Sequence, residues 1–284
     1  MFKKVIKHDF LPIFKIWWII AASVLGASLV GAFALRIFAE NVTKEVFPFI
    51  SVICMIVGFF SVIGVISSIA VTSLLAHYRF YKNFYTDEGY LTFTLPVSRK
   101  TLLLSKTLNT FIWETAHIIL IIICALIYCI IIPPSTETSI INPVVFKAAG
   151  AALSYIWSAV GAWLILYIFE SIIAYVCARL FAIVLIELCI TIGSIVAKKN
   201  KLLMAIGIYY LVTGAISLIS QIIMTFGVSF SGPGLSYILE EMSSTSVHAA
   251  LAVLMLAIIA IISTITLILY FVILDKIERK LNLA

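Results

Sequence analysis

Six apolar runs, at residues 16–38, 49–76, 102–132, 166–197, 202–226 and 247–274, leave this chain one way to satisfy its backbone. About 20 apolar residues in a helix cross roughly 30 Å of hydrocarbon. In that medium every N–H and C=O has to bond within the protein, because no water is there to take its place. Composition agrees: 63% of residues are hydrophobic and 11% charged, against about half and about a quarter in a soluble domain. The chain reads as an all-α, polytopic integral membrane bundle of about six transmembrane helices, in one domain over residues 1–284.

Lys and Arg set the orientation, because short cytoplasmic loops carry them in excess. Four lie before the first run (Lys3, Lys4, Lys7, Lys15) and five in residues 79–106. Three more lie at Lys198, Lys199 and Lys201, and three at Lys276, Arg279 and Lys280. Between these, residues 39–48 hold only Lys44, and residues 133–143 and 227–246 hold none. Both termini are therefore expected in the cytoplasm. Residues 1–15 mix the four lysines with Phe2, Val5, Ile6, Phe10 and Phe14, as an amphipathic segment at the interface does. The apolar run that follows is too long for a cleaved signal and reads as a retained span.

Residues 148–197 resist the count. Two crossings there would place two basic clusters outside, so one crossing is assigned, at 166–197, with 148–165 as an outer-face or re-entrant helix. The net charge of +6 follows the ends of apolar runs, which argues for lipid and against nucleic acid as the partner. The five cysteines all fall in apolar runs without metal-ligand spacing. Phosphate-loop, metal-helix and nucleophile-elbow motifs are missing from the sequence, so no catalytic residue, metal or cofactor is assigned and no enzyme is expected.

One polar island interrupts this pattern: Arg79-Phe-Tyr-Lys-Asn-Phe-Tyr-Thr-Asp-Glu-Gly-Tyr-Leu-Thr-Phe-Thr-Leu-Pro-Val-Ser98. Asp87-Glu88-Gly89 reads as charge and a flexible joint. Tyr90, Leu91, Phe93 and Leu95 present apolar groups on a short element, Pro96 stops it, and Ser98 suits the N-cap of the next helix. Those apolar groups either pack against the spans and headgroups or meet a partner.

The island resembles the loop between spans two and three of bacterial ATP-binding-cassette (ABC) transporter permeases of the Gram-positive type, with a type-2 exporter architecture. The opening Lys3-Lys-Val-Ile-Lys-His-Asp-Phe10 is similar to the basic start common in that family. The resemblance implies a multi-pass subunit of the bacterial plasma membrane, paired with a second permease in a homo- or heterodimer. Cytoplasmic ATPase subunits would bind the ATP. It implies that residues 77–104 form the coupling loop, with Asp87, Glu88, Gly89, Tyr90, Phe93, Leu95 and Pro96 in or beside the element that docks on the ATPase. The substrate would be an amphipathic peptide, antibiotic or lipid, exported or extracted from the bilayer.

Ionisable groups inside apolar runs are costly, and they face a protein interior or a polar path. Glu114, His117, Glu170, Arg179, Glu187 and Gln221 stand in such positions. Glu114 and His117 are three residues apart and could meet on one helix face. These groups either join helices or line a substrate path. The remaining function classes are a non-transporting scaffold, immunity or sensor subunit with a permease-like fold, and an intramembrane enzyme built on Glu114 and His117.

Overall fold

The computed structural model describes residues 2–44, 48–94, 96–132, 143–197, 199–241 and 243–280. These residues form eight helices and, among them, no strand: α1 (Phe2–Lys44), α2 (Pro48–Tyr85), α3 (Asp87–Phe93), α4 (Arg99–Ile131), α5 (Pro143–Val160), α6 (Trp163–Val196), α7 (Lys201–Glu241) and α8 (Ser244–Lys280). Six of them, α1, α2, α4, α6, α7 and α8, contain stretches long and apolar enough to cross a membrane. The chain is a polytopic all-α membrane protein. α4 alone has 33 residues, about 50 Å at 1.5 Å per residue, so it extends past the hydrocarbon.

Hydroxyl groups within these helices bond their own backbone. Ser28 donates to the Leu25 carbonyl, Thr213 to Tyr209 and Thr266 to Ile262, which lets each hydroxyl sit in an apolar helix without a partner elsewhere. Outward positions stay apolar: Phe59, Phe60, Ile66, Leu211, Ile223 and Val253 are all exposed. Water would not tolerate such a surface, and lipid does.

Residues 2–15 are not a separate interfacial helix. They are the first turns of α1, which continues through Pro12. The reason lies on the packed face, where Asp9 and Ile13 are already buried and the stripe runs on through Ala21, Val24, Ser28 and Ala32. The long 148–197 stretch breaks at Gly161, whose φ of 58° suits a residue without Cβ. α5 ends just before it and α6 starts just after, as one 34-residue helix.

The described chain divides into two compact units. The first comprises residues 1–79 and 104–159. In it α1, α2 and α4 pack around Ala21, Val24, Val65, Leu120 and Cys124, flanked by Trp17, Ile20 and Tyr128. The second comprises residues 80–103 and 160–284, which holds the end of α2, α3, the start of α4, and α6 to α8. Here Gly193 lets α6 approach α7: a Cβ at that position would lie 2.6 Å from the Ala205 backbone nitrogen. α6 and α8 run in the same direction, since Tyr167 meets His248 and, further along both, Cys177 meets Ser263. Two spans separated by one crossing should run that way.

Candidate functional site

The polar island folds into α3 and its anchors, all within the second unit. Thr86 turns the chain: its hydroxyl donates to the Lys82 carbonyl at 2.5 Å, and its carbonyl accepts the Gly89 N–H at 2.8 Å. Asp87 and Glu88 occupy the first turn of α3, where negative charge complements the helix dipole. Gly89 is not the flexible joint expected from sequence. It is buried in the helix, and a Cβ there would stand 2.8 Å from the Phe84 carbonyl oxygen. Glycine is needed for closeness, not for freedom.

Phe93, one turn on, packs edge-to-face on the buried Phe84 at 5.4 Å between centroids. The Arg99 guanidinium lies 5.5 Å over the same Phe93 ring. Its Nη1 donates to the carbonyls of Ile277 and Glu278 at 2.6 and 3.1 Å, satisfying the open end of α8. The Tyr270 hydroxyl donates to the Lys100 carbonyl at 3.3 Å, and Ser98 Oγ accepts the Thr101 N–H at 3.3 Å as the N-cap of α4. A half-exposed Lys82–Glu88 pair at 2.7 Å adds a further link between α2 and α3. Such a pair contributes under about 1 kcal/mol.

α3 is therefore fixed on one side and open on the other. Gly89 and Phe93 face inward, which makes them positioning residues. Tyr90 and Leu91 are 62% and 68% exposed, with Asp87 and Glu88 also outward. Pro96 is exposed, and Leu95 lies outside the described residues. Arg99 was missed in the sequence because its acceptors are 178 and 179 residues away.

A second polar feature runs through the first unit. Glu114 accepts a hydrogen bond from Ser73 Oγ at 2.7 Å and lies 4.0 Å from His77 Nδ1. His117 bonds Ser68 through Nε2 at 2.8 Å and Thr72 through Nδ1 at 3.1 Å. The expected Glu114–His117 contact is not what forms. Each side chain instead reaches from α4 to α2, one turn apart. Toward the start of α4, Lys106 makes a buried ion pair with Asp9 of α1. These groups join α1, α2 and α4 within the first unit, and the acid that His117 was expected to meet is placed beside His77 instead.

The remaining intramembrane residues belong to the second unit. Glu187 is buried on α6, where its carbonyl accepts from Thr191 at 2.7 Å; Thr191 in turn meets the Tyr85 hydroxyl at 2.7 Å. Arg179 is half-buried on α6 and Gln221 is exposed on α7. Glu170 is buried, and neither carboxylate oxygen has a hydrogen-bond partner among the described residues. Among those residues no group of three or more His, Cys, Asp or Glu could hold a metal ion. No family model matches the chain, and neither a curated protein nor a solved structure matches it.

Proposed function

We propose that the chain is the membrane-spanning permease subunit of an ABC transporter, driven by separate ATPase subunits and moving an amphipathic peptide, antibiotic or lipid. One observation carries this reading. α3 is a short helix between two spans, anchored on its inner face and presenting Tyr90 and Leu91 on the other. Exposed aromatic and aliphatic groups on a helix fixed from behind are what a partner can grip. A docking element needs both.

The anchors also supply a route for force. Displacing α3 acts on the end of α2 through Phe84, on the start of α4 through Arg99, and on the end of α8 through the Ile277 and Glu278 carbonyls. ATP-driven closure of a partner shifts the membrane helices only where contacts differ between its states. Tyr90 and Leu91 are the groups placed to make those contacts.

Purification of the tagged chain from its native membrane should recover an ATP-binding subunit. Tyr90→Asp and Leu91→Asp should each lose that subunit while the chain still migrates as a folded species. Recovery of the wild-type chain without any ATPase would remove the proposal.

A further inference from the structure

Glu170 stands seven residues into α6, about 10 Å along the helix from its start. It is only 2% exposed, and neither carboxylate oxygen has a hydrogen-bond partner among the described residues. A carboxylate in apolar surroundings needs a positive partner, either a proton or a cation. The face on which it lies is set by its neighbours. Tyr167, three residues before, and Cys177, seven after, both bond to α8, so Glu170 falls on the α6 face that meets α8. Ala252, one turn beyond His248 on α8, is buried along the same seam.

Next to it, toward the start of both helices, aromatic rings close the seam. Trp163 stacks on His248 at 5.7 Å between centroids, and the Tyr167 hydroxyl hydrogen-bonds His248 Nδ1 at 2.9 Å. The rings of Trp163, Tyr167 and His248 thus cluster on that side of Glu170. Aromatic faces attract organic cations. A hard inorganic cation is poorly suited, because it takes about six or more oxygen ligands and the carboxylate supplies two.

We propose that Glu170, behind the rings of Trp163, Tyr167 and His248, binds the primary ammonium group of an amphipathic molecule. The proposal adds a chemical class to the substrate of the proposed transporter. It rests on that reading only in calling the ligand a substrate, since binding is measured on this chain without an ATPase. An ammonium of this kind could come from a transported amine or from an aminophospholipid headgroup.

The test uses the full chain in nanodiscs of phosphatidylglycerol, with radiolabelled dodecylammonium as the probe and dodecanol as its neutral counterpart. Glu170→Gln should weaken dodecylammonium binding by about 30-fold or more, the usual scale for removing one partner of a buried charge pair. Glu170→Asp should retain most of it, and dodecanol binding should not change. Equal dodecylammonium affinity in wild type and Glu170→Gln overturns the proposal. Added phosphatidylethanolamine that competes with the probe supports the site with a lipid as occupant; no competition, with the Glu170→Gln loss intact, supports a transported amine. Should Glu170→Gln fail to fold, the wild-type chain decides. Dodecylammonium, and not dodecanol, should slow modification of Glu170 by dicyclohexylcarbodiimide. Labelling that the amine does not slow identifies a proton site and overturns the ammonium assignment.

Discussion

Gly89→Ala tests whether α3 is held by closeness or merely hinged. In an unobstructed helix this change adds about 1 kcal/mol of helix stability, because glycine loses more backbone entropy on folding than alanine. The backbone at Gly89 does not require positive φ, so alanine is compatible with its conformation. Space is what forbids it. The new Cβ would meet the Phe84 carbonyl oxygen at 2.8 Å and its carbon at 3.1 Å, and a backbone carbonyl cannot rotate aside as a side chain can. Overpacking of this kind costs about 1–3 kcal/mol, and with an immobile neighbour the upper part of that range applies. After the propensity gain is subtracted, α3 should lose about 1–2 kcal/mol of local stability, or about 5- to 30-fold in its opening equilibrium. Hydrogen–deuterium exchange of the peptide covering residues 86–94, in nanodiscs, reads this directly. Thr92→Ala is the control, since that hydroxyl bonds the Glu88 carbonyl within α3 itself. Exchange in Gly89→Ala should be faster than in wild type while Thr92→Ala is unchanged or slower. Slower exchange in Gly89→Ala, as for a glycine in open space, would refute the packing argument.

The helix joints give further tests. Asp9→Ala leaves the buried Lys106 ammonium without its carboxylate partner and should cost about 3–5 kcal/mol, read by denaturant titration in mixed micelles. Adding Lys106→Met should recover most of that loss, and an Asp9→Ala chain as stable as wild type would contradict the burial of the pair. Ser73→Ala removes the bond to Glu114, together with a 3.3 Å contact to His77 Nδ1 on its own helix, and should cost about 0.6–1.7 kcal/mol, the scale of interhelical hydrogen bonds in membranes. A loss several times larger would mean that Ser73 also orders His77 against Glu114. Arg99→Met removes the donors that close the end of α8, so trypsin cleavage after Lys276 should rise several-fold, and an unchanged rate would show that end held by other contacts.

The spans were readable because lipid imposes one rule on every backbone group, and apolar length is the visible result. The break in residues 148–197 was readable as excess length, although its position depended on Gly161 and one backbone angle. Glu114 and His117 were legible as buried polar groups, but their partners were not. Ser68, Thr72 and Ser73 look like any hydroxyls in an apolar helix, and such hydroxyls can bond their own backbone, as Ser68 also does to Val65. Glycine at position 89 suggested a joint because its usual service is conformational. The competing signal was the acidic first turn, Asp87 and Glu88 after Thr86, which marks a helix start. Arg99 could not have been paired with α8 from spacing, since nothing in local pattern specifies a contact across nearly the whole chain.

In the proposed transporter, α3 passes work from an ATPase into the membrane helices through Tyr90 and Leu91. The most direct measurement is a photo-crosslinking amino acid at position 90, activated in native membranes, with the adduct identified by mass spectrometry. The expected adduct is a protein carrying a phosphate-binding loop, and its yield should change when ATP is replaced by a non-hydrolysable analogue. An adduct with lipid alone, or none with an ATP-binding protein, would remove α3 as the ATPase contact.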